Sequence, residues 1–333
     1  MRYRALGATG ISVSVIGYGS WPLAGRMGAV DQGEATAALR TAIDGGVTLV
    51  DTAQGYHDAE LLLAPVIAQV ERDQVFLVSK VSRDYDPSAI ERAVEASLRR
   101  LGTDHLDLYF VHHWPEGYSL EATLEAMARI RERGLVRFLG VSNFDAAQTR
   151  QALAITPIEA VQPRYSLLVR EIEQGLLPLC RAEGIGVLAH SSLAKGLLSG
   201  RYDRAAAFDA ADERSRMSGF QGGAYERAMD VVDGLRELAA GRGVTVAQLA
   251  LAWALRDPVV TCALVGPKRP TQMAEAVAAA ELELSDEEIG AMDRLADGNE
   301  PPLGAFDARR SPAWGNRRPS GGLDRRSEEE EPS

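Results

Sequence analysis

Short apolar runs alternate with segments of helical periodicity along most of the chain. One helical segment places Ile90, Val94, Leu98 and Leu101 on a single face at three-to-four spacing, which is the pattern of an amphipathic helix. The apolar runs are short and separated by helical segments, as in buried parallel strands. Eight such strands are predicted, over residues 15–19, 48–51, 75–80, 106–112, 138–142, 160–162, 186–191 and 263–266.

Alternation of strands and helices is typical of a parallel sheet with crossover connections. Eight of these units favour an α/β fold of the TIM-barrel type, a closed (βα)8 barrel, as one domain over residues 1–298. Two short strands on either side of residues 7–10 predict an N-terminal β-hairpin. Residues 299–333 are rich in Pro, Gly, Arg and Glu, and we expect them to form a disordered C-terminal tail.

Three of the predicted strands end in side chains that can donate, accept or stabilise a proton. Asp51 ends one strand and is followed by Tyr56, Lys80 ends the next, and His112 ends the third. The chemistry of such barrels lies at the C-terminal ends of their strands, so these four residues are predicted to meet. Taken alone, an Asp is more often a cap, a Tyr packing and a Lys a solvated charge. Together they indicate an acid catalyst that acts on a carbonyl group.

Tyr56 is the candidate general acid of this set. A free phenol has a pKa of about 10, which is too high for efficient proton donation at neutral pH, and a nearby ammonium lowers it. We therefore expect Lys80 to lower the pKa of Tyr56, and Asp51 to hold Lys80 charged and in place. His112 is expected to orient the carbonyl or to share in proton delivery.

His112 is followed directly by a second histidine, His113. Neighbouring residues on a strand point to opposite sides, so the two imidazoles are expected to diverge. Because no Cys or carboxylate lies at a ligand spacing, the pair is a poor metal site. No metal is predicted.

Composition narrows the class of protein further. The net charge of −11 argues against nucleic acid as a partner. No apolar run reaches about 18 residues, so no membrane span is expected, and the first residues lack the apolar core of a signal peptide. Cys180 and Cys262 lie in apolar stretches, which fits buried thiols in a reducing compartment and a cytoplasmic location. The oligomeric state is not readable from these patterns.

The motifs resemble those of the aldo-keto reductase family over about residues 1–295. Segments 3–10 and 17–21 match its N-terminal pattern, Asp51-Thr52-Ala53 with Tyr56 matches its first signature, and Lys80 matches its catalytic lysine. Segment 106–112 matches the strand that ends in its catalytic histidine, and segment 140–144 matches its nicotinamide-binding segment. The resemblance implies a (βα)8 barrel that reduces aldehydes or ketones with a nicotinamide cofactor.

The resemblance also implies where that cofactor binds. Ser142, Asn143 and Gln162 would hold the carboxamide, and Tyr165 would stack on the nicotinamide ring. Lys268 and Arg269 favour NADP over NAD, although two basic residues in a loop are also common as surface charge. The full implied set is Gly19, Ser20, Trp21, Asp51, Ser142, Asn143, Gln162, Tyr165, Ser191, Leu193, Lys195, Gly196, Gly266, Lys268, Arg269, Gln272 and Glu275.

Three positions depart from the family pattern. His57 stands in place of a common Gly, His190 in place of a Tyr, and Ala276 in place of an Asn. These departures motivate a second hypothesis, an NADP-binding, redox-sensing regulatory protein of the same fold with negligible turnover. A barrel hydrolase or lyase would need a metal or a nucleophile set that the sequence does not show.

Overall fold

The computed structural model describes residues 1–299. Its N-terminal hairpin consists of β1 (Tyr3–Ala5) and β2 (Ser12–Ser14). The barrel strands are β3 (Ile16–Gly19), β4 (Leu49–Asp51), β5 (Phe76–Val81), β6 (Leu106–Val111), β7 (Val136–Ser142), β8 (Ala160–Gln162), β9 (Gly186–Ala189) and β10 (Val260–Val265). The α-helices are α1 (Gln32–Asp44), α2 (Ala59–Ile67), α3 (Pro87–Leu101), α4 (Leu120–Glu132), α5 (Ala146–Leu153), α6 (Leu176–Glu183), α7 (Gly222–Arg242), α8 (Val246–Ala254), α9 (Pro270–Ala279) and α10 (Asp286–Ala296).

The strands β3 to β10 close into a parallel barrel in chain order, with β10 paired to both β9 and β3. The predicted (βα)8 fold and its N-terminal hairpin are therefore confirmed. Some strand ends differ from the prediction: β9 stops at Ala189 because Ser191 adopts a φ of 56°, which is incompatible with an extended strand. The predicted tail lies outside the described residues from residue 300 onward.

The barrel interior is a separate apolar core, closed at the N-terminal end of the strands by the hairpin. A Cβ at Gly140 would lie 2.3 Å from Cε1 of Phe110, so glycine at this position makes room for the phenyl ring inside the barrel. Leu6 and Val13 bring the hairpin into the same cluster. The buried members of this cluster are Leu6, Val13, Leu49, Phe76, Val78, Leu108, Phe110, Ala160, Leu188, Cys262 and Leu264.

The outer helices pack their apolar faces against the strands, and α3 shows why the sequence forms them. Asp86 accepts a hydrogen bond from the Ser88 N–H, Pro87 opens the first turn, and Gly102 ends the helix with a φ of 69°. The predicted face of Ile90, Val94, Leu98 and Leu101 is buried in the layer between helices and barrel.

Strand register brings the polar strand ends to one rim of the barrel. Asp51 lies opposite Gly19 on one side and Val78 on the other, and Ser142 lies opposite Gln162. The His112 N–H donates to the carbonyl of Val81, which extends the pairing of β5 and β6 beyond the last residue of β6. Within residues 1–299, none of the helices combines the length and apolar character that a membrane crossing needs.

Candidate active site

A buried ion pair lies at the centre of the rim. The Lys80 ammonium donates to both carboxylate oxygens of Asp51, each at 2.7 Å, and to the carbonyl of Thr52 at 2.8 Å. The Gln162 amide donates to Asp51 Oδ2 at 2.7 Å. Burial lowers the pKa of Lys80 and raises that of Asp51, while the contact between the two opposes both shifts. The three hydrogen bonds on the ammonium and the Gln162 contact favour the charged form of the pair.

Tyr56 lies above this ion pair, with its hydroxyl at the cavity. The side chain of Tyr56 is 7% exposed. Its ring packs edge-on against Trp21, with the ring centroids 4.9 Å apart, and the Lys80 ammonium lies 5.1 Å from the Tyr56 centroid. The phenol oxygen is 3.5 Å from Nε2 of His112. Tyr56 and His112 therefore point at the same small volume of the cavity, which both residues line.

The pKa of Tyr56 moves in the direction opposite to the expected one. Burial raises it well above the usual 10, and the negative charges of Asp51 and Glu213 add to the increase. The expectation that Lys80 lowers this pKa is wrong, because burial and the charges of Asp51 and Glu213 dominate. The Lys80 hydrogen bonds go to Asp51 and Thr52 and not to the phenol. The phenol is therefore an O–H donor throughout the neutral range.

The two histidines after β6 do not diverge. Their rings stack with centroids 4.4 Å apart and an interplanar angle of 10°, and both line the cavity. The alternation of a strand does not apply here, because β6 ends at Val111. Nδ1 of His112 lies 2.7 Å from the hydroxyl of Ser82. No cluster of three or more metal-ligating side chains occurs among residues 1–299.

Most of the predicted cofactor residues line one continuous cleft at the rim, which Tyr56 and His112 also line. Polar amides and hydroxyls lie at its inner end, and cationic side chains lie at its outer end. The predicted residues in the lining are Gly19, Trp21, Asp51, Ser142, Asn143, Gln162, Ser191, Leu193, Lys195, Gly196, Gly266, Lys268, Gln272 and Glu275.

Three predicted cofactor residues lie outside this lining. Tyr165 is fully buried beside Trp253, and its hydroxyl donates to Glu173, so its ring is turned away from the cleft. Ser20 is also fully buried, and its N–H donates to the Asp51 carbonyl. Arg269 is exposed at the N-cap of α9.

His190, which was noted only as a departure from the family pattern, lines the cleft where Tyr165 does not. Its Nε2–H donates to the Asn143 amide oxygen at 3.0 Å, and its Nδ1 lies 3.0 Å from the Ser191 hydroxyl. Burial and the neighbouring charges of Arg164 and Lys195 hold the pKa of His190 well below its usual value. The residue is therefore a neutral, flat ring at the inner end of the cleft.

Glu213 is a further residue that the sequence did not single out. It is 5% exposed, and its Oε1 accepts hydrogen bonds from the Trp21 indole and the Lys195 ammonium, both at 2.9 Å. Its N–H donates to the carbonyl of Arg26. Glu213 thus joins the loop after β3 to the long connection after β9. That connection lacks regular periodicity, so no sequence pattern marked it.

Lys268 fixes a loop at the outer end of the cleft. Its ammonium donates to the carbonyls of Met27, Gly28 and Ala29. Arg201, paired with Glu275 at 3.2 Å, lies at the same end. Cations accordingly concentrate where the cleft reaches the N-terminus of α9, an arrangement that suits a phosphate group.

Left-handed backbone conformations concentrate around the cleft. All five non-glycine residues with positive φ among residues 1–299 belong to its lining or adjoin it: His57, Asn143, Ser191, Ala194 and Lys195. Such conformations are strained and cluster at functional sites. His57 follows Tyr56 directly and has a φ of 50°, a conformation that glycine adopts without strain.

The chemistry of the lining fits a nicotinamide dinucleotide. Ser142, Asn143 and Gln162 offer amide and hydroxyl groups in the same cleft as Tyr56 and His112, the polarity that a carboxamide needs. Lys268, just before the start of α9, supplies positive charge that suits a phosphate. The Lys195 ammonium also lines the cleft but is paired with Glu213 at 2.9 Å.

A titration tests the raised pKa of Tyr56 without any assay of activity. In the difference of absorbance at 295 nm between wild type and Tyr56→Phe, we expect no phenol ionisation up to pH about 10, the value of a free tyrosine. Repeating the titration in denaturant, where all phenols are exposed, provides the control. A native-state ionisation near neutral pH that is lost in Tyr56→Phe would contradict the assignment.

Comparison with known proteins agrees with this architecture and site. Residues 15–297 match the model of the aldo/keto reductase family. An aldo-keto reductase of Bacillus subtilis is 35% identical over 82% of this chain and 87% of its own. An NADH-specific methylglyoxal reductase of Escherichia coli is 30% identical over 89% of this chain and 99% of its own.

Solved structures extend the comparison to three dimensions. A glycerol dehydrogenase from Gluconobacter oxydans superposes with a TM-score of 0.82 at 27% identity, covering 90% of this chain and 96% of its own. An aldo/keto reductase from Klebsiella pneumoniae, solved with NADP and acetate, superposes with a TM-score of 0.72 at 34% identity, covering 91% and 97%. The chain belongs to the aldo/keto reductase family of oxidoreductases.

Proposed function

We propose that the protein reduces the carbonyl group of an aldehyde or ketone to an alcohol, with NADPH as the cofactor and Tyr56 as the general acid. The observation that carries this proposal is the 3.5 Å approach of the Tyr56 hydroxyl to Nε2 of His112 at the inner end of the cleft. Two hydrogen-bonding groups converge there on a space that a carbonyl oxygen fits.

Each group in the site would have a separate role in the reaction. A bound nicotinamide supplies the hydride for the carbonyl carbon. Tyr56 donates its proton to the carbonyl oxygen, and His112 fixes the direction of that oxygen. The Asp51–Lys80 ion pair lies beside the Tyr56 ring, with the Lys80 ammonium 5.1 Å from the ring centroid. Because the pKa of Tyr56 is raised, the residue holds its proton until the oxygen becomes more basic.

The choice of NADPH rests on the outer end of the cleft. Lys268 and Arg201 line it, and Arg269 lies at the N-cap of α9 although it is exposed. A 2′-phosphate would bind such cations more strongly than the hydroxyl of NADH does. The relatives differ in their cofactor, since one is described as NADH-specific and another was solved with NADP.

Removal of the phenol hydroxyl tests the catalytic proposal. A general acid contributes about 100-fold or more to the rate, so Tyr56→Phe should lower kcat by at least that factor while the dissociation constant of NADPH stays near that of wild type. The measurement is NADPH consumption with a panel of simple aldehydes and ketones. Tyr3→Phe, which removes an exposed hydroxyl bonded to Gly46, is the matched control and should retain full activity.

Two results would contradict the proposal. One is wild-type turnover that Tyr56→Phe leaves unchanged. The other is tight NADPH binding by a folded wild-type protein that turns over none of the carbonyl compounds, which would favour the regulatory function.

The cofactor preference has its own test in Lys268→Met. Loss of a charged hydrogen bond costs about 1.5–3 kcal/mol, so the dissociation constant of NADPH should rise at least tenfold while that of NADH changes little. Fluorescence titration with each cofactor measures both constants. An equal loss for NADPH and NADH would show that Lys268 only fixes the loop at Met27, Gly28 and Ala29, and would contradict the 2′-phosphate contact.

A further inference from the structure

Ser82 is a buried hydroxyl next to the reacting groups that does not itself line the cleft. It follows Val81 at the end of β5, as His112 follows Val111 at the end of β6, and Val81 lies opposite Val111 in the sheet. This register makes the two residues neighbours across the rim. The Ser82 hydroxyl oxygen lies 2.7 Å from Nδ1 of His112.

Ser82 is held in place by the segment that precedes Tyr56. The Ser82 N–H donates to the side-chain oxygen of Gln54 at 3.3 Å. A Cβ at Gly55 would lie 2.9 Å from Cβ of Ser82 and 3.2 Å from its hydroxyl oxygen, so only a glycine at residue 55 leaves room for this side chain. The Ser82 hydroxyl is thus packed between the Tyr56 segment and the ring of His112.

The hydrogen bonds around Ser82 determine where its single proton goes. The two acceptors near the hydroxyl are Nδ1 of His112 at 2.7 Å and the Lys80 carbonyl at 3.4 Å. The distance of 3.4 Å is long for an O–H···O bond, whereas 2.7 Å is a normal length for a hydrogen bond to Nδ1. The hydroxyl proton therefore goes to Nδ1.

A neutral imidazole that accepts at one nitrogen carries its proton on the other. With Nδ1 as acceptor, Nε2 of His112 bears the hydrogen, and Nε2 is the atom that faces Tyr56 at 3.5 Å. The backbone of His112 is anchored separately, because its carbonyl accepts from the Asn143 amide at 3.0 Å.

We propose that Ser82 is a positioning residue that holds His112 as the neutral Nε2–H tautomer, so that the ring offers a second donor to the carbonyl oxygen beside Tyr56. The tautomer follows from the contacts of this chain alone, whereas the benefit to catalysis rests on the proposed carbonyl reduction. Orientation of a catalytic imidazole by a partner at its other nitrogen is a recurring device in proteins.

Nitrogen-15 spectroscopy of the histidine rings tests the tautomer directly. In wild type, the ring that is missing from the spectrum of His112→Gln should show a protonated Nε2 and an Nδ1 that accepts a hydrogen bond. In Ser82→Ala that Nδ1 signal should shift to the value of a nitrogen without this donor. A wild-type ring protonated at Nδ1, or at both nitrogens, would overturn the proposal.

Kinetics then separate a positioning role from a structural one. Loss of one hydrogen bond of about 1.4 kcal/mol corresponds to tenfold in rate, so Ser82→Ala should lower kcat about tenfold and leave KM for NADPH unchanged. Ser82→Thr keeps the hydroxyl and should recover most of kcat. Ser14→Ala, which removes a buried hydroxyl bonded to the Ile16 carbonyl at the far end of the barrel, is the matched control.

The two proposals fail in different ways. A wild-type protein without carbonyl turnover would remove the proposed function, while the spectra would still decide the tautomer. Unchanged spectra and unchanged kcat in Ser82→Ala, with an active wild type, would overturn the role of Ser82. If the alanine variant does not fold, the wild-type spectrum and the threonine variant give the same decision.

Discussion

The arrangement of the site depends on one buried ion pair, Asp51 with Lys80. Two opposite charges in an apolar interior are stable only while each remains paired and hydrogen-bonded. Here the pair is completed by Gln162 and the Thr52 carbonyl, which link β4, β5 and β8 across the mouth of the barrel. The ion pair therefore fixes the distance between strands as well as the electrostatic environment beneath Tyr56.

This constraint changes the role of the lysine. A free ammonium beside a phenol would favour the phenolate, but an ammonium already paired with a carboxylate does not. Burial and the negative charges of Asp51 and Glu213 keep Tyr56 protonated, and a protonated phenol is the form that the proposed general acid needs. Glu213 lies in the connection after β9, where it bonds to Trp21 and Lys195. The pKa of Tyr56 therefore depends on a residue of the loops that cover the cleft.

Much of the fold could be predicted because each barrel strand is a short apolar run between helices. The four rim residues could also be predicted, since a strand end fixes which side of the barrel a residue reaches. The conformations of the loops could not be predicted in the same way. Tyr165 and His190 both lie just beyond strand ends, and only their hydrogen-bonding partners, Glu173 for one and Asn143 for the other, decide which ring faces the cleft.

Contacts between segments that are far apart in the chain could not be predicted from the sequence either. The stacking of His112 on His113 depends on the end of β6 at Val111, a single residue earlier than predicted. The contact of Ser82 with His112 requires the register of two strands and the absence of a side chain at Gly55. None of these features changes the periodicity of the chain, so no pattern of apolar and polar positions reports them.

A double-mutant cycle on Asp51 and Lys80 tests the central claim most directly. Urea unfolding would be measured for wild type, Asp51→Asn, Lys80→Met and the double variant at neutral pH. Each single replacement leaves one uncompensated buried charge and should lower the free energy of unfolding by about 3–5 kcal/mol. The double variant leaves no such charge and should lose clearly less than the sum of the two. Losses that simply add would contradict the account, because they would mean that the two charges do not depend on each other.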